Sequence, residues 1–370
     1  MITTETKEKQ VEIEASELSM QLESASIAKP SSQSAVEALK GHPLIAKLLT
    51  KENKTRIKIG ISVILFASLF IFGKVDLSKS WQVALNADKT YLIWATAIFL
   101  GSVFLNAHRW QLLADAIGLK KPLLQLVQYC YVGMFFNLFL PSTVGGDVSR
   151  CYYVSKGTGK YVDAFYSVLA DRALGISILF LMATAGILLG PGGSGLPWEL
   201  KWPIFAGTLF VFCFLPLMPW FCKTFLGESN WITKQLTKSP AAVYWQSPGL
   251  IFVCLIWSLL LQVLIVGCHI AIGWALGLNQ VPIWYYFVFY PSVAVLGFIT
   301  PSFNGIGIRE WAYTYFLKLM GVDNDHGVTY AIMWLGLITF SSLVGGLVYL
   351  LGHFQKPPEQ IENMDSLPLS

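Results

Sequence analysis

Two stretches of this chain set proline, glycine and charge side by side in otherwise apolar sequence: Pro141-Ser-Thr-Val-Gly-Gly-Asp-Val-Ser-Arg150 and Pro301-Ser-Phe-Asn-Gly-Ile-Gly-Ile-Arg-Glu310, with Pro141 and Pro301 160 positions apart. A third cluster, Asp171-Arg172, lies between them, near the start of the long apolar span that follows the first stretch. The chemistry these residue types can do is anion binding. A guanidinium is a planar fork that grips phosphate through two parallel hydrogen bonds, so Arg150, Arg172 and Arg309 around one cavity would suit a phosphate group. Amides freed where a helix restarts add further donors. Asp147 and Arg150, three apart, share a helix face and can pair, and Arg309-Glu310 close the second stretch. The plainer reading is that these charges form internal ion pairs that hold helix ends in register, while Ser142, Thr143, Ser302 and Asn304 cap the helices that restart. Both readings can hold together.

The elements that must position these groups are membrane helices. The 370 residues are 54% apolar and 13% charged, with mean hydropathy +0.56. Soluble domains carry about a quarter charged residues. Residues 239–308 contain no Asp, Glu, Lys or Arg, enough sequence for two or three membrane-deep elements of about twenty residues each. A barrel would alternate polar and apolar residues, which these runs do not. Eight apolar elements are expected: Ile57–Gly73, Tyr91–Ala107, Leu123–Leu140, Tyr166–Gly190, Trp202–Cys222, Gly249–Gly277, Trp284–Thr300 and Val328–Gly352.

The elements ending at Leu140 and Thr300 run straight into the Pro-Ser breaks. Proline removes a backbone donor and the glycines (Gly145, Gly146, Gly305, Gly307) permit positive φ, so each break should open the backbone. In a bilayer such backbone must line a cavity or meet a substrate. Broken elements at matching positions in two halves point to a transporter's substrate site. Six full crossings with two re-entrant hairpins keep most basic residues on the side of Lys51, Lys54, Arg56 and Lys58, taken as cytoplasmic. Arg109, Lys120, Lys121, Arg150, Lys156, Lys160, Lys223, Lys234, Lys238 and Lys356 join them there. Lys74, Lys79, Lys89, Lys201, Arg309 and Lys318 fall outside. The alternative of eight full crossings moves Lys223, Lys234 and Lys238 outward, which favours the hairpins.

Residues 1–50 are polar, lack the basic stub and apolar core of a cleavable leader, and read as a disordered cytoplasmic tail, as does 356–370; residues 51–355 form the membrane domain. The six cysteines (130, 151, 213, 222, 254 and 268) have neither disulfide nor metal-ligand spacing and read as packing residues. His269 and Gln262, seven apart on one face, are expected to make interhelical hydrogen bonds. Asn106, His108 and Arg109 read as a helix end at the lipid interface. Gly186-x-x-x-Gly190 and Gly273-x-x-x-Gly277 are expected to let helices approach within the bundle. No nucleophile elbow, Walker loop or H-E-x-x-H is present, and Asp323-Asn-Asp325 reads as a solvated turn, so no catalytic residue, metal or cofactor is assigned. The modest charge of +4 gives no case for nucleic acid.

The run Leu140–Arg150, then Asp171-Arg172-x-x-Gly175, then Pro301-Ser-x-x-Gly305-x-Gly307-x-Arg309-Glu310, resembles the lysylphosphatidylglycerol synthase transmembrane-region family, the flippase-like domain, in order and spacing over roughly residues 55–352. The resemblance implies an all-α membrane bundle and implicates Pro141, Gly145, Gly146, Asp147, Arg150, Asp171, Arg172, Pro301, Gly305, Gly307, Arg309 and Glu310. In two-domain members this region is joined to a soluble aminoacyl-transferase domain, which is not expected here. The expectation is an inner-membrane protein of two inverted halves that moves a phosphate-bearing lipid between leaflets, with membrane lipids as its partners. A membrane-embedded transferase acting on polyprenyl phosphates and a secondary transporter of a small anion stand as alternatives.

Overall fold

Charge does not end a helix, and that single fact reshapes the expected spans. The computed structural model describes residues 76–139, 145–190, 196–228, 230–299, 307–352 and 354, and among these it is helical with no strand. The expected span Ile57–Gly73, both tails, and Pro141, Ser142, Thr143, Pro301, Ser302, Asn304 and Gly305 lie outside the described residues.

Helix α1 (Leu77–Asn86) is capped by Asp76 and leads to α2 (Lys89–Ala116), whose first turn is closed by the Asp88 carboxylate accepting from Thr90 N at 2.8 Å. Then come α3 (Leu123–Phe139), α4 (Gly145–Ser155) and α5 (Tyr161–Leu189). A long apolar helix, α6 (Trp198–Leu226), follows, interrupted by a π-helical turn at Phe210–Phe214. After α7 (Trp231–Lys238) the chain repeats the earlier order of lengths with α8 (Pro248–Ala275), α9 (Ile283–Ile299), α10 (Ile308–Leu319) and α11 (Asn324–Leu351). Among the described residues α2, α5, α6, α8 and α11 are long and apolar enough to cross a membrane, while α3 and α9 are shorter apolar helices. These are the elements expected as full crossings and as halves of hairpins, respectively. Several long helices run past the expected ends, however: α2 continues to Ala116 and α5 begins at Tyr161, because the backbone ladder carries on through the polar residues at which the hydropathy pattern fades.

The packing joins the quartet α2–α5 to the quartet α8–α11. The main contacts are α2 with α8, α3 with α11 and α5 with α9, and within each quartet the short helices pack on each other. Exchanging one quartet for the other leaves this pattern unchanged. Helices α2 and α8 run antiparallel: Asp88 N donates to Ala275 O at 2.9 Å, Cys268 Sγ to Ala95 O at 3.3 Å, and Arg109 Nη1 to Ser258 Oγ at 2.8 Å, so positions rise on one as they fall on the other.

Both short pairs are antiparallel helical hairpins. In the first, Gly146 N donates to Asn137 Oδ1 at 2.7 Å and the rings of Tyr129 and Tyr153 stack 5.5 Å apart. In the second, Tyr285 Oη donates to Phe316 O at 2.9 Å and Phe289 meets Tyr313 edge-on at 5.3 Å. Small residues set these distances. A Cβ on Gly146 would lie 2.1 Å from Gly133 O, so only glycine lets α4 sit against α3. This corrects the expectation of positive φ at Gly145 and Gly146: both are helical, and of the two motifs' described glycines only Gly307, φ 90°, has that conformation.

Gly186 and Gly190 meet Val288 and Trp284 of α9, the intramolecular use expected of that motif. The second motif divides its work: Gly273 meets the Tyr286 hydroxyl, whereas Gly277, φ 68°, ends α8. Gly345 and Gly346, not singled out in the sequence, seat α11 on Tyr131 and Phe135 of α3.

Candidate functional site

Helices α2, α4 and α5 each bring charge to one place inside the bundle. Asp171, on the inward face of α5, is 2% exposed. Its Oδ1 accepts from Arg109 Nε at 2.9 Å, with Arg109 Nη2 at 2.8 Å, and its Oδ2 accepts from Arg150 Nη2 at 3.0 Å. Arg109 is held further by Asn106 Oδ1 (3.0 Å) and Ser258 Oγ (2.8 Å). Arg150 lies over the Trp110 ring, 4.1 Å from guanidinium carbon to ring centroid, and that ring is fixed by donating from Nε1 to Ser167 Oγ at 3.1 Å. Stacking a guanidinium on indole adds a cation–π attraction to the ion pair. Asp147 stands 3.7 Å from Arg150 Nη1, the expected i,i+3 partner, and makes its closest ion pair with Arg172 Nε.

These groups line a cavity of about 330 Å³. Three guanidiniums (Arg109, Arg150, Arg172) against two carboxylates (Asp147, Asp171) leave it one net positive charge. Its lining passes from charged to apolar along several helices together: Arg109 and Asn106 give way to Val103 and Phe99 on α2, and Asp171 and Arg172 to Ile176 and Leu179 on α5, with Leu261 and Ile265 of α8 across from them. The site is thus amphipathic. Arg172 has the most exposed side chain of the five, 30%, against 4% for Arg109 and 9% for Arg150. Asp171 therefore positions two arginines, and Arg172 with Asp147 makes the more exposed pair lining the cavity.

The sequence expectation for Arg109 is corrected here. It belongs to the cavity and not to a lipid interface, because α2 runs seven residues beyond it. Arg109 and Arg150, being internal, also leave the tally of cytoplasmic connections. Asp171-Arg172 stand in the third turn of α5, inside the bundle and not near its start. Arg109 had a signal: Ser102, Asn106 and Arg109 recur at helical spacing in an apolar span, the mark of an inward polar stripe.

The second hairpin is arranged differently. Arg309 is not among the residues lining the cavity, so the structure brings together Arg150 and Arg172 but not Arg309. Glu310, 1% exposed, accepts from Gly307 N and closes the first turn of α10. Where the first quartet gathers charge, the second gathers aromatics: His269 of α8 lies among Tyr290 of α9, Tyr313 of α10, and Tyr330 and Trp334 of α11. Tyr330 Oη donates to His269 O at 3.0 Å, so His269 Nδ1 is the donor in its 2.8 Å bond to that same oxygen. The imidazole is thus hydrogen-bonded between helices, as the sequence suggested. Gln262 likewise accepts from Tyr290 Oη at 2.9 Å. Asp323 caps α11 by accepting from His326 N at 3.0 Å, and Asp325 accepts from Asp76 N at 2.8 Å, so the D-x-D pattern serves a helix cap and a contact with the start of α1. Among the described residues no group of His, Cys, Asp and Glu is placed to hold a metal ion.

A bundle of membrane-length helices that encloses paired charges defines an integral membrane protein with an internal polar cavity. The chain belongs to the lysylphosphatidylglycerol synthase TM region family, whose model matches residues 57–346. It is also similar to the UPF0104 membrane protein MJ1595 of Methanocaldococcus jannaschii, with 32% identity over 142 residues, 36% of this chain and 41% of that protein. The matched segment spans about two fifths of that relative's length. No solved structure gives a significant match.

Proposed function

We propose that this protein translocates a phosphate-bearing lipid between leaflets, holding the headgroup among Arg150, Arg172 and Arg109 while the acyl or prenyl chain leaves along the apolar wall. The observation that carries the reading is the amphipathic cavity of about 330 Å³, positive at one end and lined by Phe99, Leu179 and Ile265 at the other. Buried ionisable groups are costly in a bilayer and are kept where they bind or conduct something. Family membership is consistent with a lipid-related role. We further infer that the two quartets form an inverted repeat: α2 and α8 hold corresponding places and run antiparallel, so α3–α4 and α9–α10 would enter the membrane from opposite faces as re-entrant hairpins. Rocking of one quartet against the other would then change the leaflet to which the cavity opens.

Arg309, on the second hairpin, would meet the headgroup in the alternate state, and Pro141, Ser142, Thr143, Pro301, Ser302, Asn304 and Gly305 remain candidate contacts. With Arg109 and Arg150 set aside, Lys120, Lys121, Lys156, Lys160, Lys223, Lys234 and Lys238 still favour cytoplasmic termini in an inner membrane.

The test is reconstitution into liposomes carrying fluorescent phosphatidylglycerol or polyprenyl phosphate, scored for leaflet exchange. Exchange by the wild-type protein that is lost in Arg150→Ala and Arg309→Ala supports the reading; undiminished exchange in both variants defeats the site. Uptake of a soluble anion without lipid exchange would favour the small-anion carrier, and turnover of an added donor would favour the transferase.

A further inference from the structure

We propose that the cavity is matched in charge to a phosphodiester, the singly charged linkage of a glycerophospholipid, and discriminates against a phosphomonoester such as phosphatidic acid or a polyprenyl phosphate. The inference rests on the reading that the cavity receives a lipid headgroup and goes beyond it by naming the headgroup's charge. The ionisable groups facing the space are few and come from every surrounding helix that carries one: Arg109 from α2, Cys130 from α3, Asp147 and Arg150 from α4, Asp171 and Arg172 from α5, and Tyr290 from α9, whereas α8 contributes only neutral groups. Thiols and phenols ionise well above neutral pH, so three guanidiniums and two carboxylates set the balance at one positive charge.

A monoanion neutralises that balance. A dianion would leave a surplus negative charge among buried groups with no counterion left to take it up. Neither aspartate is free to change the count cheaply: both Asp171 oxygens are taken by arginines, at 2.9 and 3.0 Å. Asp147, 13% exposed, is held by Arg172 and lies 3.7 Å from Arg150, and so keeps its place in the count. A phosphodiester with two bridging esters and two free oxygens gives Arg172 and Arg150 the same two-oxygen acceptor that Asp147 now presents to them.

The experiment is binding calorimetry on the full-length purified protein in detergent, with four probes: dihexanoyl phosphatidylglycerol, dihexanoyl phosphatidic acid, chain-free glycerophosphoglycerol and inorganic phosphate. At about pH 8 the phosphodiester lipid is expected to bind at least about tenfold more tightly than phosphatidic acid. Lowering the pH to about 5.5, where a phosphomonoester regains its second proton, should close most of that gap by tightening phosphatidic acid alone. Asp147→Asn, which raises the cavity to two net positive charges, should shift the ratio about tenfold toward phosphatidic acid at about pH 8. Weak binding of glycerophosphoglycerol identifies the source as a lipid; binding equal to that of its lipid identifies a soluble phosphodiester. Phosphatidic acid bound as tightly as phosphatidylglycerol at about pH 8, or no binding of either, overturns the charge match. The pH series needs no variant and decides the matter even if Asp147→Asn folds poorly. Selective binding without leaflet exchange would overturn translocation and leave the charge match standing, whereas exchange without selectivity would do the reverse.

Discussion

Arg109 and Asp171, 62 residues apart in the chain, meet at 2.8 Å with side chains 4% and 3% exposed. The pair joins α2 to α5, and through the other oxygen of Asp171 it reaches Arg150 on α4. Removing one member of a buried pair leaves an uncompensated charge, so the network is a structural brace as well as one wall of the cavity.

Asp171→Ala should therefore be the costliest change in the cavity. It leaves two guanidiniums without their shared carboxylate and is expected to destabilise the protein by about 3–5 kcal/mol. Thermal unfolding in detergent, followed by tryptophan fluorescence, checks it; a melting temperature equal to the wild-type value would show that the brace is dispensable.

Arg172→Ala should separate binding from stability. Its side chain is 30% exposed and pairs with Asp147, so its loss is expected to cost no more than about 1 kcal/mol of stability. Leaflet exchange should nonetheless fall at least about tenfold, because a ligand-facing guanidinium is gone. Variants with normal exchange would move Arg172 out of the site.

Gly146→Ala and Gly175→Ala form a matched pair. The first puts a methyl group 2.1 Å from Gly133 O and 2.6 Å from the Asn137 side chain, prising the hairpin open, at an expected cost of about 1–3 kcal/mol or more. The second puts it 3.7 Å from Arg109 Nη1, an ordinary contact, and stability should stay within about 0.5 kcal/mol. Equal melting temperatures for the two would contradict the close approach of α4 to α3.

The proposed inverted arrangement predicts a labelling pattern. In a background without the native cysteines, single cysteines at Lys120, after α2, and at Ser247, before α8, should react from the same side of the membrane. A cysteine at Asn279, after α8, should react from the other. Lys120 and Asn279 labelled from one side would rule out antiparallel crossings by α2 and α8.

Tyr330→Phe tests the aromatic cluster of the second quartet. It removes both the acceptor for His269 Nδ1 and the donor to His269 O, an expected loss of about 1–3 kcal/mol read by thermal unfolding. No loss would mean that His269 finds another partner, and the tautomer assigned above would be abandoned.

Hydropathy located the long helices because a bilayer demands continuous apolar sequence, and it separated α3 and α9 as short elements leading into Pro-Ser breaks. The same measure misplaced helix ends. It fades as polar residues enter, whereas a helix stops only where its backbone bonds do, so Arg109 was left at a lipid interface and Asp171 nearer a span start than α5 places it. Glycine was ambiguous for a related reason: Gly146 and Gly307 are the same residue type in matching motifs, yet one serves close packing and the other a left-handed turn. Local sequence does not say which.

By itself, then, the order of residues determined that this is an all-helical membrane protein, that proline, glycine and charge recur together in two stretches, and that Asp147 and Arg150 share a face, since periodicity and the cost of charge in lipid act locally along the chain. Only the tertiary structure decided that Arg109 joins Asp171 and Arg150, that Arg309 stands apart from their cavity, and that the second quartet holds aromatics where the first holds ions. Those pairings join residues tens of positions apart on different helices, and they depend on how the helices cross and how closely glycine lets them approach, which no local spacing encodes.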